Sequence, residues 1–246
     1  MGTSKSFSDT NHSMIPNWGT LSSALTSNCD SSTLTPIKLN KILNNYVKAL
    51  GGAVKAGSGN SKIGGKSGIR TAKKIGGVFS TFTSSGYNIR ETLQSTGLTD
   101  IDNKTVRDVI NHLIEYCSGT ASKIDDNAAK EASKLLFEDL LSQANNIEEI
   151  EVLLTETFQT HTSEELIIKY FGFYINEMLS KWFYENLIKS KKESECKNLF
   201  RQIKDFIFEK VNGMQKTNPL QYIDWSSNEA DNIIKKIQQD VLTVFE

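Results

Sequence analysis

The run TSEELIIKYFGFYINEMLSKWFYENL, residues 162–187, decides the fold. Thr162-Ser163-Glu164-Glu165 is a capping box: the threonine hydroxyl serves a first-turn N–H while the Glu165 carboxylate reaches back to the cap. Behind it, Leu166, Ile167, Tyr170, Phe171, Tyr174, Ile175, Met178, Leu179, Trp182, Phe183 and Leu187 fall on nearly every side of a helix. A helix that is apolar all round is buried. The run therefore predicts a central helix whose aromatics form core, not a cofactor box.

Outward from it, the helical period recurs. A helix is expected from Glu193 to Val211, stopping at Asn212-Gly213, then a loop over Pro219–Trp225. Ser226-x-x-Glu229 reads as a second capping box for a last helix to Phe245. Before the central run, a short helix covers 147–158. Asp125 or Asp126 caps a helix with the face Ala129, Ala132, Leu135, Leu136, Leu140 and Leu141. Asp102 or Asn103 caps another, with Val106, Val109, Ile110, Leu113 and Cys117 in register and Gly119 closing it. Residues 88–97 read as a short helix. Ile69 to Phe82 reads as an amphipathic one weakened by Gly76-Gly77. Thr35-Pro36 starts a helix over 37–50 on the face Ile37, Leu39, Ile42, Leu43, Tyr46, Val47 and Leu50, ended by Gly51-Gly52. No useful alternating pattern and no internal repeat occurs. The expectation is an all-α multi-helix bundle of about eight helices, with a helical domain over 36–246 and a sub-boundary in the Gly-rich segment 51–68.

Residues 1–35 read differently. Ser, Thr and Asn dominate from Gly2 to Thr35, and Phe7, Ile15, Leu21, Leu25 and Leu34 appear singly. Such composition buries too little surface to offset the entropy of ordering. An extended, flexible N-terminal arm is expected over 1–35, with a reach of roughly 50 Å from Gly2 to Trp18 at about 3.3 Å per residue. A small residue after Met1 generally permits removal of that methionine. The product is a glycine α-amine, whose pKa of about 7.7–8.0 leaves far more neutral nucleophile near pH 7 than a lysine at about 10.4. Gly2 is thus a good acyl acceptor for another protein's active site; the bland alternative is a terminus without a role. Met1-Gly2-Thr3-Ser4-Lys5-Ser6 also fits a myristoylation pattern, a short one that matches often by chance and whose single acyl chain binds membranes only marginally.

Charge is unevenly spread. Residues 1–90 hold 11 Lys+Arg against 2 Asp+Glu, net +9; residues 91–246 hold 17 against 27, net −10. Lys62, Lys66, Arg70, Lys73 and Lys74 form the best candidate patch for an anionic partner, nucleic acid included, against the alternative of solvated or self-neutralising cations. Gly65-Lys66-Ser67 resembles the end of a phosphate-binding loop, but the first glycine would stand at Asn60, and no strand precedes it. A flexible basic hinge is the better reading of 57–68.

Histidines His12, His112 and His161 lack metal-ligand spacing, and Glu148-Glu149-Glu151 and Asp125-Asp126 read as solvated helix starts. Nothing points to an enzyme, a metal or a cofactor. Three scattered cysteines, Cys29, Cys117 and Cys196, suit a reducing compartment. No signal peptide and no stretch of about 18 apolar residues is seen, so a cytoplasmic protein without a membrane role is expected.

Four pieces in this order carry a resemblance: Met1-Gly2-Thr3-Ser4-Lys5-Ser6; Pro16-Asn17-Trp18; Tyr46-Val47-Lys48-Ala49-Leu50-Gly51-Gly52; and Lys123-Ile124-Asp125-Asp126-Asn127-Ala128-Ala129-Lys130-Glu131-Ala132. Together they resemble the QatB family of the bacterial Qat anti-phage system. The resemblance implies a four-component defence operon whose other members are an ATPase (QatA), a QueC-like enzyme (QatC) and a TatD-like nuclease (QatD). A QueC-type enzyme activates a deazaguanine carboxylate with ATP and passes it to an amine. With the arm, this suggests Gly2 as modification acceptor, and Thr3, Ser4, Lys5, Ser6, Pro16 and Trp18 as residues that bind the enzyme. The rival readings are an unmodified helical adaptor of the defence complex and a nucleic-acid sensor using residues 62–74.

Overall fold

The computed structural model describes residues 17–214, 220 and 223–246. It is all-α as expected, with no strand among the described residues. Among the described residues eleven α-helices follow in order: α1 Trp18–Asn28, α2 Pro36–Leu50, α3 Ala53–Gly57, α4 Lys66–Ser84, α5 Ile89–Ser95, α6 Val106–Ser118, α7 Ile124–Leu141, α8 Ile147–Thr160, α9 Ser163–Leu187, α10 Glu193–Asn212 and α11 Asn228–Thr243. A 3-10 turn, Ile101–Asn103, separates α5 from α6. No helix among the described residues is long and apolar enough to cross a membrane.

The central run forms the central helix. Thr162 caps α9, and the Thr162–Glu165 capping box is closed in both directions. Tyr170, Phe171, Tyr174, Met178 and Leu179 are all at most 2% exposed. α7, α10, α4 and α11 pack around α9. The caps of α2 (Thr35, with Pro36 at the first helical position) and the left-handed Gly51 at its end are as the sequence indicates. Other starts shift by a few residues. Thr105, not Asp102 or Asn103, caps α6 through a capping box with Asp108. Lys123 precedes α7, and Ser227, one residue after the expected serine, caps α11.

Three expectations are corrected. The arm does not run to residue 35: Trp18–Asn28 is helical, with Leu21 and Leu25 wholly buried. Trp18, Leu21, Leu25 and Cys29 recur at spacings of three and four, so one thin apolar seam runs through a Ser/Thr/Asn-rich stretch. Tertiary packing on that seam outweighs poor intrinsic propensity. At its end the Cys29 and Cys196 sulfurs lie 3.4 Å apart, tying α1 to α10, and burial beside Cys196 pushes the Cys29 thiol up to about 12. The helical bundle therefore includes Trp18–Asn28, and residues 1–16 of the expected arm lie outside the described residues.

Segment 51–68 is likewise no hinge or boundary. It contains α3, which packs along α11. A Cβ on Gly57 would stand 2.5 Å from Cβ and 2.8 Å from Cα of Gln239. The glycines here permit close approach rather than looseness. Finally, Ile37 is not on the buried face of α2 but 82% exposed.

Gly57→Ala must push α3 off the α11 backbone. The expected loss is about 1–3 kcal/mol, the usual cost of overpacking, against an intrinsic gain in helix propensity. Urea denaturation followed by circular dichroism measures it.

Candidate functional site

The candidate residues that the structure describes fall in two places: the start of α4, where the basic segment meets acidic side chains, and Trp18 at the start of α1.

The N-terminus of α4 has no side-chain cap of its own, because Gly65 occupies the cap position in a left-handed conformation (φ 104°). Asp125, from the first turn of α7, supplies the acceptor instead. Its carboxylate takes the N–H of Gly65 at 3.3 Å and of Ser67 at 3.0 Å. A helix start attracts negative charge through its unpaired N–H groups and its dipole. The place that resembles a phosphate loop in sequence is thus filled by the chain's own carboxylate. The Tyr174 hydroxyl completes the arrangement: it accepts the Gly65 N–H at 2.8 Å and donates to Asp125. Burial first, and the Asp125 charge second, hold the Tyr174 hydroxyl well above its ordinary pKa, so it stays a donor. Gly68 lets the ring lie against α4; a Cβ there would meet the ring at 2.8 Å.

Asp126 is tied in beside it. Its carboxylate accepts from Ser67 Oγ at 2.6 Å, Arg70 at 3.1 Å, and the Ser122 and Lys123 N–H groups at 3.3 and 3.1 Å. The Ser67 hydrogen bond, with those from Ser122 and Lys123, outweighs burial and draws Asp126 down to about 2. Asp125-Asp126 is therefore not the solvated helix start that its sequence suggests. The useful signal was available: two acids opening one helix and an uncapped Gly-Lys-Ser opening another.

The basic patch divides. Arg70 is paired with Asp126; Lys73 lies 2.9 Å from Asp231 and donates to the Ser227 carbonyl at 3.0 Å. Lys74 donates to the Tyr116 carbonyl at 2.7 Å and stands over the Tyr116 ring. Lys62 and Lys66 are exposed, without an ion pair among the described residues. Much of the sequence patch is thus spent on the acidic half of the same chain.

Gly2, Thr3, Ser4, Lys5, Ser6 and Pro16, and His12 with them, lie outside the described residues. Trp18 opens α1, half-buried. Its ring lies 5.1 Å from Trp182 and 4.7 Å from Phe183 at the end of α9. Trp182 in turn lies 5.7 Å from Tyr46 of α2. These rings fix the start of α1 against α9 and α2.

An open groove of about 750 Å³ lies between α7, α8, α9 and α10. Inside it Asp139 is paired with Lys169 at 2.6 Å, and His161 Nδ1 shares a hydrogen bond with Thr160. No cluster of three metal-ligating side chains occurs among the described residues.

Asp126 gives this site a pH signature. A carboxyl drawn from about 3.8 to about 2 by folding stabilises the fold by about 2 kcal/mol above pH 4. That contribution fades as pH falls through the folded value. Asp126→Asn is expected to lose about this much at pH 7. Its deficit against the parent should shrink between pH 4 and pH 2, read from denaturation midpoints at each pH.

The family model described as "QatB: Qat anti-phage system associated protein QatB" matches residues 57–245, from the end of α3 through α11. No curated protein and no solved structure gives a match. The match covers well over half of the chain and includes the α4–α7–α9 clasp: the chain belongs to the QatB family of Qat anti-phage system associated proteins.

Proposed function

We propose that this chain, a component of an anti-phage defence system by family, is a non-enzymatic substrate for a QueC-like partner enzyme, QatC. The enzyme takes the α-amine of Gly2, freed by loss of Met1, as acceptor for a deazaguanine-type base. The acyl carbon of the activated carboxylate forms an amide with the Gly2 nitrogen, which loses a proton, and the activating nucleotide leaves. Thr3 and Ser4 are small enough for a narrow pocket, and in this reading Lys5, Ser6, Pro16 and Trp18 also bind the enzyme. QatA and QatD are the further partners in this reading.

The observation that carries the reading is the anchoring of Trp18 against Trp182 and Phe183. It gives the sixteen residues 2–17 a fixed origin at Trp18, from which covalent geometry allows Gly2 a reach of roughly 50 Å. Behind it stands a helical body whose histidines and buried carboxylates are already committed to structural partners. The sensor reading is weaker, because Arg70, Lys73 and Lys74 are engaged within the chain.

Intact and peptide mass spectrometry of the protein co-expressed with its operon tests this. The expected result is a mass increment on the N-terminal peptide beyond methionine loss, absent when the QueC-like enzyme is inactivated. An N-terminal peptide carrying only methionine loss would leave the unmodified adaptor.

A further inference from the structure

Residues 31–88 hold nine cations and no Asp or Glu. Three of them, Arg70, Lys73 and Lys74, are engaged as described. The other six, Lys38, Lys41, Lys48, Lys55, Lys62 and Lys66, are exposed and have no ion pair among the described residues.

On α2 the arrangement is regular. Ile37, Lys41, Asn44 and Lys48 follow the spacing i, i+4, i+7, i+11, which draws a straight stripe down one side of a helix. The stripe faces away from Leu39, Ile42, Leu43, Tyr46 and Leu50, all buried. It continues into α3, where Lys55 folds over Gly51 and Val54 projects outward. Ile37 and Val54, at 82% and 67%, are the two most exposed large apolar side chains among the described residues, and they mark the two ends of the stripe. Glu246 borders it, but its carboxylate accepts the Ala53 N–H at 2.7 Å, and its carbonyl accepts from Asn44 at 2.6 Å. None of the lysines of the stripe makes an ion pair among the described residues.

We infer that the outer face of α2 and α3 docks an acidic protein surface bearing apolar anchors, and that this surface belongs to the enzyme acting on the leader. The second half of that statement rests on the proposed function. The charge of the stripe calls for an acidic counterpart. Ile37 and Val54 favour a protein over a nucleic acid, since apolar anchors within a polar rim suit a protein interface and no exposed aromatic in the stripe offers a base a stacking platform. The stripe also lies close to the leader's root: Trp18 contacts Trp182, and Trp182 contacts Tyr46 on the inner side of α2. One helix diameter of about 10 Å then separates the two faces of α2. An enzyme seated on the stripe has Gly2 within reach.

The test uses the purified full chain and the purified QueC-like enzyme of the same operon. Wild-type binding is expected to weaken steadily as salt rises, because rim charges are screened. Lys41→Glu, Lys48→Glu and Lys55→Glu together should weaken it at least tenfold at low salt while melting temperature is retained, the lysines being exposed. Ile37→Ser with Val54→Ser should weaken it with the salt dependence preserved. A chain starting at residue 17 should still dock through the stripe. Unchanged affinity of the lysine variant, or no binding of the wild type, overturns the inference. So does a lysine variant that loses only duplex binding or only self-association, read by gel shift and sedimentation. The two readings fail separately: docking through the stripe without any adduct on Gly2 removes the conjugation and leaves the surface.

Discussion

A part-buried carboxylate seated on the start of another helix holds this bundle in register. Asp125 closes the open N–H groups of α4 from the first turn of α7, and Tyr174 of α9 completes the contact from the third side. Three helices distant in sequence therefore meet at one set of hydrogen bonds. The clasp fixes more than its own neighbourhood. With α4 so placed, Gly76 receives the ring of Trp225, which a Cβ would meet at 2.0 Å. Lys73 reaches Asp231, and α11 is drawn alongside. α11 in turn offers its backbone to Gly57, so α3 and the end of α2 are set by the same chain of contacts. Removing one partner would leave buried polar groups unpaired, which costs more than a typical hydrogen bond contributes.

The same clasp explains the distribution of charge. A basic front and an acidic back meet along α4, where Arg70 and Lys73 find Asp126 and Asp231. Each pair keeps one partner at least a third exposed and so partly screened by solvent, but both remove cations from the surface. What remains unpaired among residues 31–88 is Lys62 and Lys66 before and at the start of α4, together with the lysines of α2 and α3. A run of like charges marks a region; which of its members stay available depends on what the fold brings opposite them.

Much of the bundle was legible because its signals are strong and local. The Thr162–Glu165 capping box and the unbroken apolar content behind it define α9, and Pro36 with Gly51 brackets α2. What escaped was encoded in relations between distant residues. α1 is written in a polar alphabet, and its seam of Trp18, Leu21, Leu25 and Cys29 acquires meaning only when Trp182, Phe183 and Cys196 are there to receive it. The glycines of 57–68 look like a flexible segment until Gln239 and Tyr174 are seen against them. Asp125 and Asp126 look like ordinary helix-start acids until Gly65 and Ser67 appear opposite. Of the candidate site residues, those of the charged patch could be placed and divided, and Trp18 could be assigned its ring partners. Ile37 carried a signal that was misread: grouped with the buried face, it belongs by its spacing with Lys41 and Lys48.

The aromatic rings of α9 hold Trp18 in place, so the seventeen residues before it join the bundle at one packed point. Whatever chemical group sits at the far end is confined to a sphere of roughly 50 Å radius by bond geometry alone. Confinement to that volume corresponds to a local concentration on the order of millimolar toward any protein already resting on the body. On the proposed function, capture of the Gly2 amine by an enzyme already docked is intramolecular, so the terminal group itself needs only feeble affinity for its receptor.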